Sequence, residues 1–410
     1  MSKRKSEQAL LSDLIHCHLR KQEDFLINLG NPYYNFMERL ETTVSSYQYY
    51  DFDLLEDIVI GAVSSCQTFP ENISAFYQQL LQEITHSFQV SASPHYLVWP
   101  LQKALLTEDI HFGNFWLLSP KTPQELEAQI SNLSGISQQE VSEFLAHTQR
   151  SRSPDFMKSC LAVIQLTHQT GFVNKMAYSY AQTTTQLLRL LHISENMKND
   201  LWCSSDAGRA INCHVAILSE NPSRCGHGFH WNPDLLCPIP LNFMGKQDYQ
   251  ELFLKLFQAH SVSHTADSFS RRCINAHHLF QLGYQQKKKQ ENESVSLVLY
   301  MTALESLLTE DKSGKRDRLA KVLPQLIQIH GHTPQELGQI VDVMYQRRSE
   351  FVHGGRAVRI KCEDNSLQIL EQAIAKLFIL LTDVDSLISN ASLRQEGWKD
   401  YIESLYAEPA

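Results

Sequence analysis

Residues 345–355 read YQRRSEFVHGG, with Arg348 five positions and Arg347 six positions before His353. An arginine grips a phosphate through two parallel N–H donors and keeps its charge at any physiological pH. A histidine gains and loses a proton near neutrality, which general acid–base chemistry requires. Together they make a candidate site, with an arginine able to bind a phosphate and a titratable histidine able to act in general acid–base catalysis. Arg347, Arg356, Arg359 and Lys361 add positive charge, and only Glu350 opposes them before Glu363.

The same residues admit a plainer reading, because Lys, Arg and His near a helix C-terminus are favoured by the dipole alone. Leu337, Ile340, Val341, Met344, Phe351 and Val352 predict a helix over 333–354 with a buried stripe. Gly354 and Gly355 would end it with a left-handed cap, leaving His353 in the last turn. Five residues along an ideal helix are ~140° of rotation and ~7.5 Å of rise. Arg348 and His353 therefore do not share a stripe. They converge only if the helix end deforms or if a second copy of the helix faces the first across a dimer.

A second cluster joins Cys203, Cys213, His214, Cys225, His227, His230 and Cys237. Cysteine and histidine are the natural zinc ligands. No C-x2-C pair is present, however, and structural zinc usually needs two tight pairs. The candidate ligands are Cys225, His227, His230 and Cys237, but buried cysteines beside loop histidines are the simpler expectation, so no metal is assigned.

The elements that must carry these residues are mostly helices. The chain has 410 residues, 43% of them hydrophobic, with 16 Gly and 14 Pro. That supports two or three domains with real cores. Helical spacing marks 6–29, 53–66, 71–88 and 176–191, and two further helices are expected over 137–150 and 154–170. Prolines 94 and 100 and the stretch FGNFWLLSPKT (112–122) suggest an irregular passage. TPQEL occurs at 122–126 and again at 333–337, each time as a capping box with Pro at the first helical position. Tyrosines cluster at 33–34 and 47–50, where packing between helices is favoured over a base-stacking surface.

Residues 201–245 break the pattern. INCHVAILS looks like a short strand, and the following run is rich in Pro, Gly and Asn. Helices resume over roughly 248–260, 265–289, 293–308, 315–329, 333–354 and 365–389, joined by short loops as in a bundle. The expected architecture is mainly α. A helical domain spans 1–200, an irregular or β-containing joint 201–245, and a C-terminal bundle 246–410.

Several classes lack their motifs. G-x4-G-K-[ST], G-x-G-x-x-G, H-E-x-x-H and G-x-S-x-G are all absent. Net charge is −9, with 17 basic and 25 acidic residues in 1–250 against 19 and 20 in 251–410. The chain is therefore no general polyanion binder, and any nucleic acid must meet a local patch. No secretory leader or membrane-spanning run is evident, so a cytoplasmic protein with reduced thiols is expected.

The R-S-x-x-V-H-G core at Arg348, Ser349, Val352, His353 and Gly354 resembles the signature of HEPN domains of the ApeA-like branch. TALESLL (302–308) and KRDRLAKVL (315–323) are similar to that family's preceding helices, and the resemblance covers roughly 250–395. It implies a dimerising helical bundle that cleaves RNA without a metal or cofactor, as an effector of bacterial anti-phage defence or a toxin-like system. Arg348 would hold the scissile phosphate and His353 would act as acid or base. Ser349 could donate a hydrogen bond, Glu305 would orient Arg348, and Arg347, Arg356 and Arg359 would bind substrate. Glu350 stands where many relatives carry a basic residue. The alternatives are a noncatalytic HEPN scaffold that dimerises or binds RNA or nucleotide, and a regulatory zinc protein built on 203–237.

Overall fold

The computed structural model describes residues 5–20, 31–101, 104–143, 159–195, 213–218, 223–227, 239–261, 267–290, 292–309, 314–353, 365–389 and 391–407. In those residues the chain forms two units, each assembled from separated segments. One takes Met1–Leu97, Gln165–Ala177 and Ile217–Arg224; the other takes Val98–Ile164, Tyr178–Ala216 and Cys225–Ala410.

The first unit is built on α1 (Glu7–Arg20), α2 (Asn31–Val44), α3 (Phe52–Ser64) and α4 (Ile73–Val90). Their apolar stripes close one core around Leu11, Ile15, Phe36, Leu40, Val59, Ile84 and Phe88. Asp51 and Asn72 cap α3 and α4 by accepting from the backbone of Leu54 and Ala75. The tyrosines pack rather than project: Tyr33 donates to Glu56, Tyr77 to Glu7, and Tyr50 to Glu41 at 2.8 Å. Tyr34 is the exception, 66% exposed.

Strands β1 (Ser93–Leu101), β3 (Ile110–Phe112), β4 (Phe115–Leu118), β5 (Cys160–His168), β6 (Cys213–Leu218) and β7 (Ser223–His227) form one sheet of order β3-β4-β5-β1-β6-β7. The chain passes between the two units within β1, β5, β6 and β7, and again within α6 (Thr170–Ser194). A short parallel pair joins β2 (Ala104–Leu105) to β8 (Ile239–Pro240).

Two expectations change here. Residues 160–168, expected to be helical, form β5 instead. Cys160 to Ile164 are buried without interruption, a run that reads equally as buried helix or central strand until its neighbours are known. The β structure is likewise not confined to a joint at 201–245. The passage read as irregular at 94–118 holds β1 and a hairpin, β3–β4, turning at Gly113–Asn114 with Phe112 opposite Phe115. Within INCHVAILS, Cys213–Leu218 form a strand as expected, β6.

The second unit holds α5 (Pro123–Ser134), α7 (Gln247–Ser261), α8 (Ser268–Gln290), α9 (Glu293–Leu308), α10 (Lys315–Leu326), α11 (Pro334–His353), α12 (Ser366–Leu381) and α13 (Arg394–Ala407). Both TPQEL copies start helices, with Thr122–Glu125 and Thr333–Glu336 bonded reciprocally. The β3–β4 hairpin packs Phe112 and Phe115 on Phe253 of α7. Helix α9 is buried on nearly every side, as befits the centre of a bundle. It lies along α8, where a Cβ on Gly283 would fall 2.5 Å from the ring of Tyr300. Among the described residues no helix is long and apolar enough to cross a membrane.

Candidate functional site

An acid in an apolar helix must find a partner, because an unpaired buried carboxylate is expensive. Glu305 is that acid. It sits near the C-terminal end of α9, flanked by the buried Leu304, Leu307 and Leu308. Its partners come from the next two helices. Lys315, the first residue of α10, places Nζ 2.9 Å from Glu305 Oε2. Arg348, near the end of α11, places Nη2 3.5 Å from Glu305 Oε1.

What brings α11 here is close packing on α10. Gly338 of α11 lies so near α10 that an added Cβ would stand 2.7 Å from the Ala320 carbonyl oxygen. Arg316 of α10 then spans to Asp342 of α11 through two bonds, at 2.5 and 2.6 Å, and reaches Gln346 at 3.3 Å. These ties fix the rotation of α11 and turn Arg348 toward α9.

The immediate surroundings of Arg348 are half-closed. Its side chain is 18% exposed and that of Glu305 11%. The guanidinium carbon lies 5.6 Å from the centre of the Tyr345 ring, one turn earlier on the same face. Burial first, and then the Glu305 charge, raise the Tyr345 hydroxyl above its ordinary pKa. Two cations thus share one carboxylate. Among the described residues Nε of Arg348, Nη1 of Arg347 and Oε1 of Glu305 are buried without a hydrogen-bond partner. A buried donor left unmade costs about 1–3 kcal/mol, so the adjacent arginines are poised to take an acceptor.

His353 lies elsewhere on the helix. Gln339, Val343, Gln346, Glu350 and His353 form one exposed stripe along α11, whereas Leu337, Val341 and Met344 form the buried one. Arg348 belongs near the buried stripe and His353 to the solvent stripe, as the ~140° rotation requires. Within one chain the helix stays regular to His353, so the distorted end that could have joined the two side chains is not observed. Ser349 is partly exposed and makes no hydrogen bond to a described side chain. Arg356, Arg359, Lys361 and the expected Gly354–Gly355 cap lie outside the described residues. Of the candidate zinc ligands, His230 and Cys237 also lie outside them, and Cys225 and His227 are placed by backbone alone in β7.

Reading the residues reached Arg348 and the HEPN resemblance pointed to Glu305, but both missed Lys315 and Tyr345. Tyr345 was within reach, since three residues before Arg348 is the same helix face. Lys315 gave no local signal, because it begins the next helix and lies outside the helical spacing of Glu305. Comparisons with family models, with curated proteins and with solved structures found no match to the chain, so the HEPN likeness rests on residues 302–323 and 345–354 alone.

Proposed function

We propose that this chain is an endoribonuclease that cleaves RNA by attack of the ribose 2′-oxygen on the adjacent phosphorus. The 2′-hydroxyl loses its proton as the oxygen bonds to phosphorus, the bond to the 5′-oxygen breaks, and that oxygen takes a proton. The products carry a 2′,3′-cyclic phosphate and a 5′-hydroxyl. Arg348 receives the charge that builds on the phosphorane. His353 moves one of the two protons. The substrate supplies its own nucleophile, so the step calls for no metal.

The observation that carries this reading is the state of Arg348. It is a half-buried guanidinium, oriented by Glu305, with an N–H still lacking an acceptor. The HEPN resemblance supplies the rest, including the pairing with His353 and the two-chain bundle. The solvent-facing position of His353 favours a site completed across two chains, in which one copy's His353 meets the other's Arg348. The same position also supports a second reading, a HEPN-type scaffold that binds RNA without cutting it.

The deciding assay incubates RNA with wild type, His353→Ala and Arg348→Ala and identifies the product termini. Cleavage lost in both variants, with cyclic-phosphate ends and full activity in excess chelator, supports the nuclease. Wild-type binding without cleavage supports the scaffold. Cleavage retained by both variants overturns the assignment of the site.

A further inference from the structure

The Glu305 carboxylate has two cations within reach and holds them unequally, Lys315 at 2.9 Å and Arg348 at 3.5 Å. Were Glu305 there only to neutralise Arg348, the guanidinium would close on it with two parallel bonds, the geometry such pairs favour. It does not. One nitrogen approaches at ion-pair distance, Nε is unpartnered, and Oε1 of Glu305 accepts no hydrogen bond. The closer contact belongs to the lysine.

We infer that Lys315 is a positioning residue for the proposed phosphate site: by neutralising Glu305 it leaves Arg348 oriented but electrostatically available to an incoming phosphodiester. This rests on the reading of Arg348 as a phosphate-binding group. Without Lys315, the half-buried carboxylate has Arg348 as its cation, and a phosphate must then compete with Glu305 for the guanidinium. With Lys315 present, the three groups sum to one positive charge, which the phosphate completes. Placement supports this division of roles. Lys315 opens α10, and its side chain is 30% exposed, more than the 18% of Arg348. Arg348 is held from below by Tyr345 and from the side by Glu305. Arg316, the next residue, is engaged by Asp342 and does not substitute for Lys315.

The arrangement makes a signature that direct phosphate contact by Lys315 would not make. The probe is a fluorescent single-stranded oligoribonucleotide, 2′-O-methylated throughout so that it cannot be cut, titrated against full-length protein by anisotropy. Lys315→Met should weaken binding about tenfold, within the range of coupling inside one ion-pair network. Lys315→Arg should restore it. The decisive variant is Lys315→Met with Glu305→Gln, which removes the charge that needed neutralising. Affinity should return to within about twofold of wild type, because neighbours in one network are not additive. A double variant as weak as Lys315→Met alone overturns the inference and makes Lys315 a direct phosphate ligand. A Lys315→Met protein that binds like wild type also overturns it. If Arg348→Ala binds as tightly as wild type, or wild type does not bind the probe, the phosphate reading of Arg348 itself falls, and the inference with it. Thermal melts of each variant separate these outcomes from unfolding, which would lower binding in the double variant as well.

Discussion

The Tyr300 hydroxyl donates a 2.7 Å hydrogen bond to Oε1 of Glu371, tying α9 to α12 inside the C-terminal bundle. Lys287 of α8 meets the same carboxylate with 2.9 Å contacts to both oxygens. Burial first, and then the neighbouring Glu371 charge, lift the Tyr300 pKa well above that of a free phenol. Tyr300 and Glu305 lie on one helix, so this bond also helps set the rotation that presents Glu305 to Lys315 and Arg348. Tyr300→Phe should cost about 1.5–3 kcal/mol in urea denaturation, one hydrogen bond to a charged group. Glu371→Ala should cost about 3–5 kcal/mol, because it strands Lys287 and the phenol together. Equal, small losses in the two variants would show that the carboxylate does not organise the core.

Gly338 permits the α10–α11 contact that aims Arg348. Adding one methyl places a carbon 2.7 Å from the Ala320 carbonyl oxygen, against backbone that cannot swing aside. Gly338→Ala should therefore destabilise by about 1–3 kcal/mol through overpacking, despite alanine's better helix propensity. It should also weaken any activity that depends on Arg348. A stabilised Gly338→Ala protein would mean that the two helices separate without strain.

The first unit should lose stability in mild acid through His168. Burial is the main cause that lowers its pKa to about 4, and its ring stacks on Phe172 at 3.6 Å. His95, buried beside Ser93 and Thr170, is lowered in the same direction, again chiefly by burial. Unfolded histidine titrates near 6.5, so between about pH 6.5 and 4 the unfolded chain binds more protons than the native one. The contribution is fully present above about pH 6.5 and is lost as pH falls toward 4. Urea midpoints should fall over that window in wild type and less steeply in His168→Leu. Parallel curves for the two proteins would remove His168 as the cause.

His353 is exposed at the end of α11 and makes no ion pair among the described residues. His353→Ala should change stability by no more than about 0.5 kcal/mol, the usual range for an exposed substitution. If the proposed chemistry is right, the same variant loses RNA cleavage. A large loss of stability would make an inactive variant uninformative, and is not expected from this position.

The C-terminal helices were legible because each carries its own signal. The stripe Leu337, Val341 and Met344 and the Thr333–Glu336 box mark α11 without reference to anything distant. Strand β5 was not legible. CLAVIQLTH is apolar enough for a buried helix or a central strand, and only β4 and β1 on either side decide between them. The prolines at 94 and 100 masked β1 in the same way, since they sit near the ends of a strand that is buried from Leu97 to Leu101.

By itself the amino-acid order determined a mainly helical chain, the turns and caps that start its helices, and the ~140° that separates Arg348 from His353 on α11. These are local properties, written in residues within a few turns of one another. The tertiary structure decided which groups surround Arg348. Tyr345 is its neighbour one turn earlier on α11, but Glu305 and Lys315 come from two other helices, and no spacing rule links them to Arg348. They meet because Gly338 lets α11 close on α10, and because an acid buried in α9 must be paired by whatever the packing brings within reach.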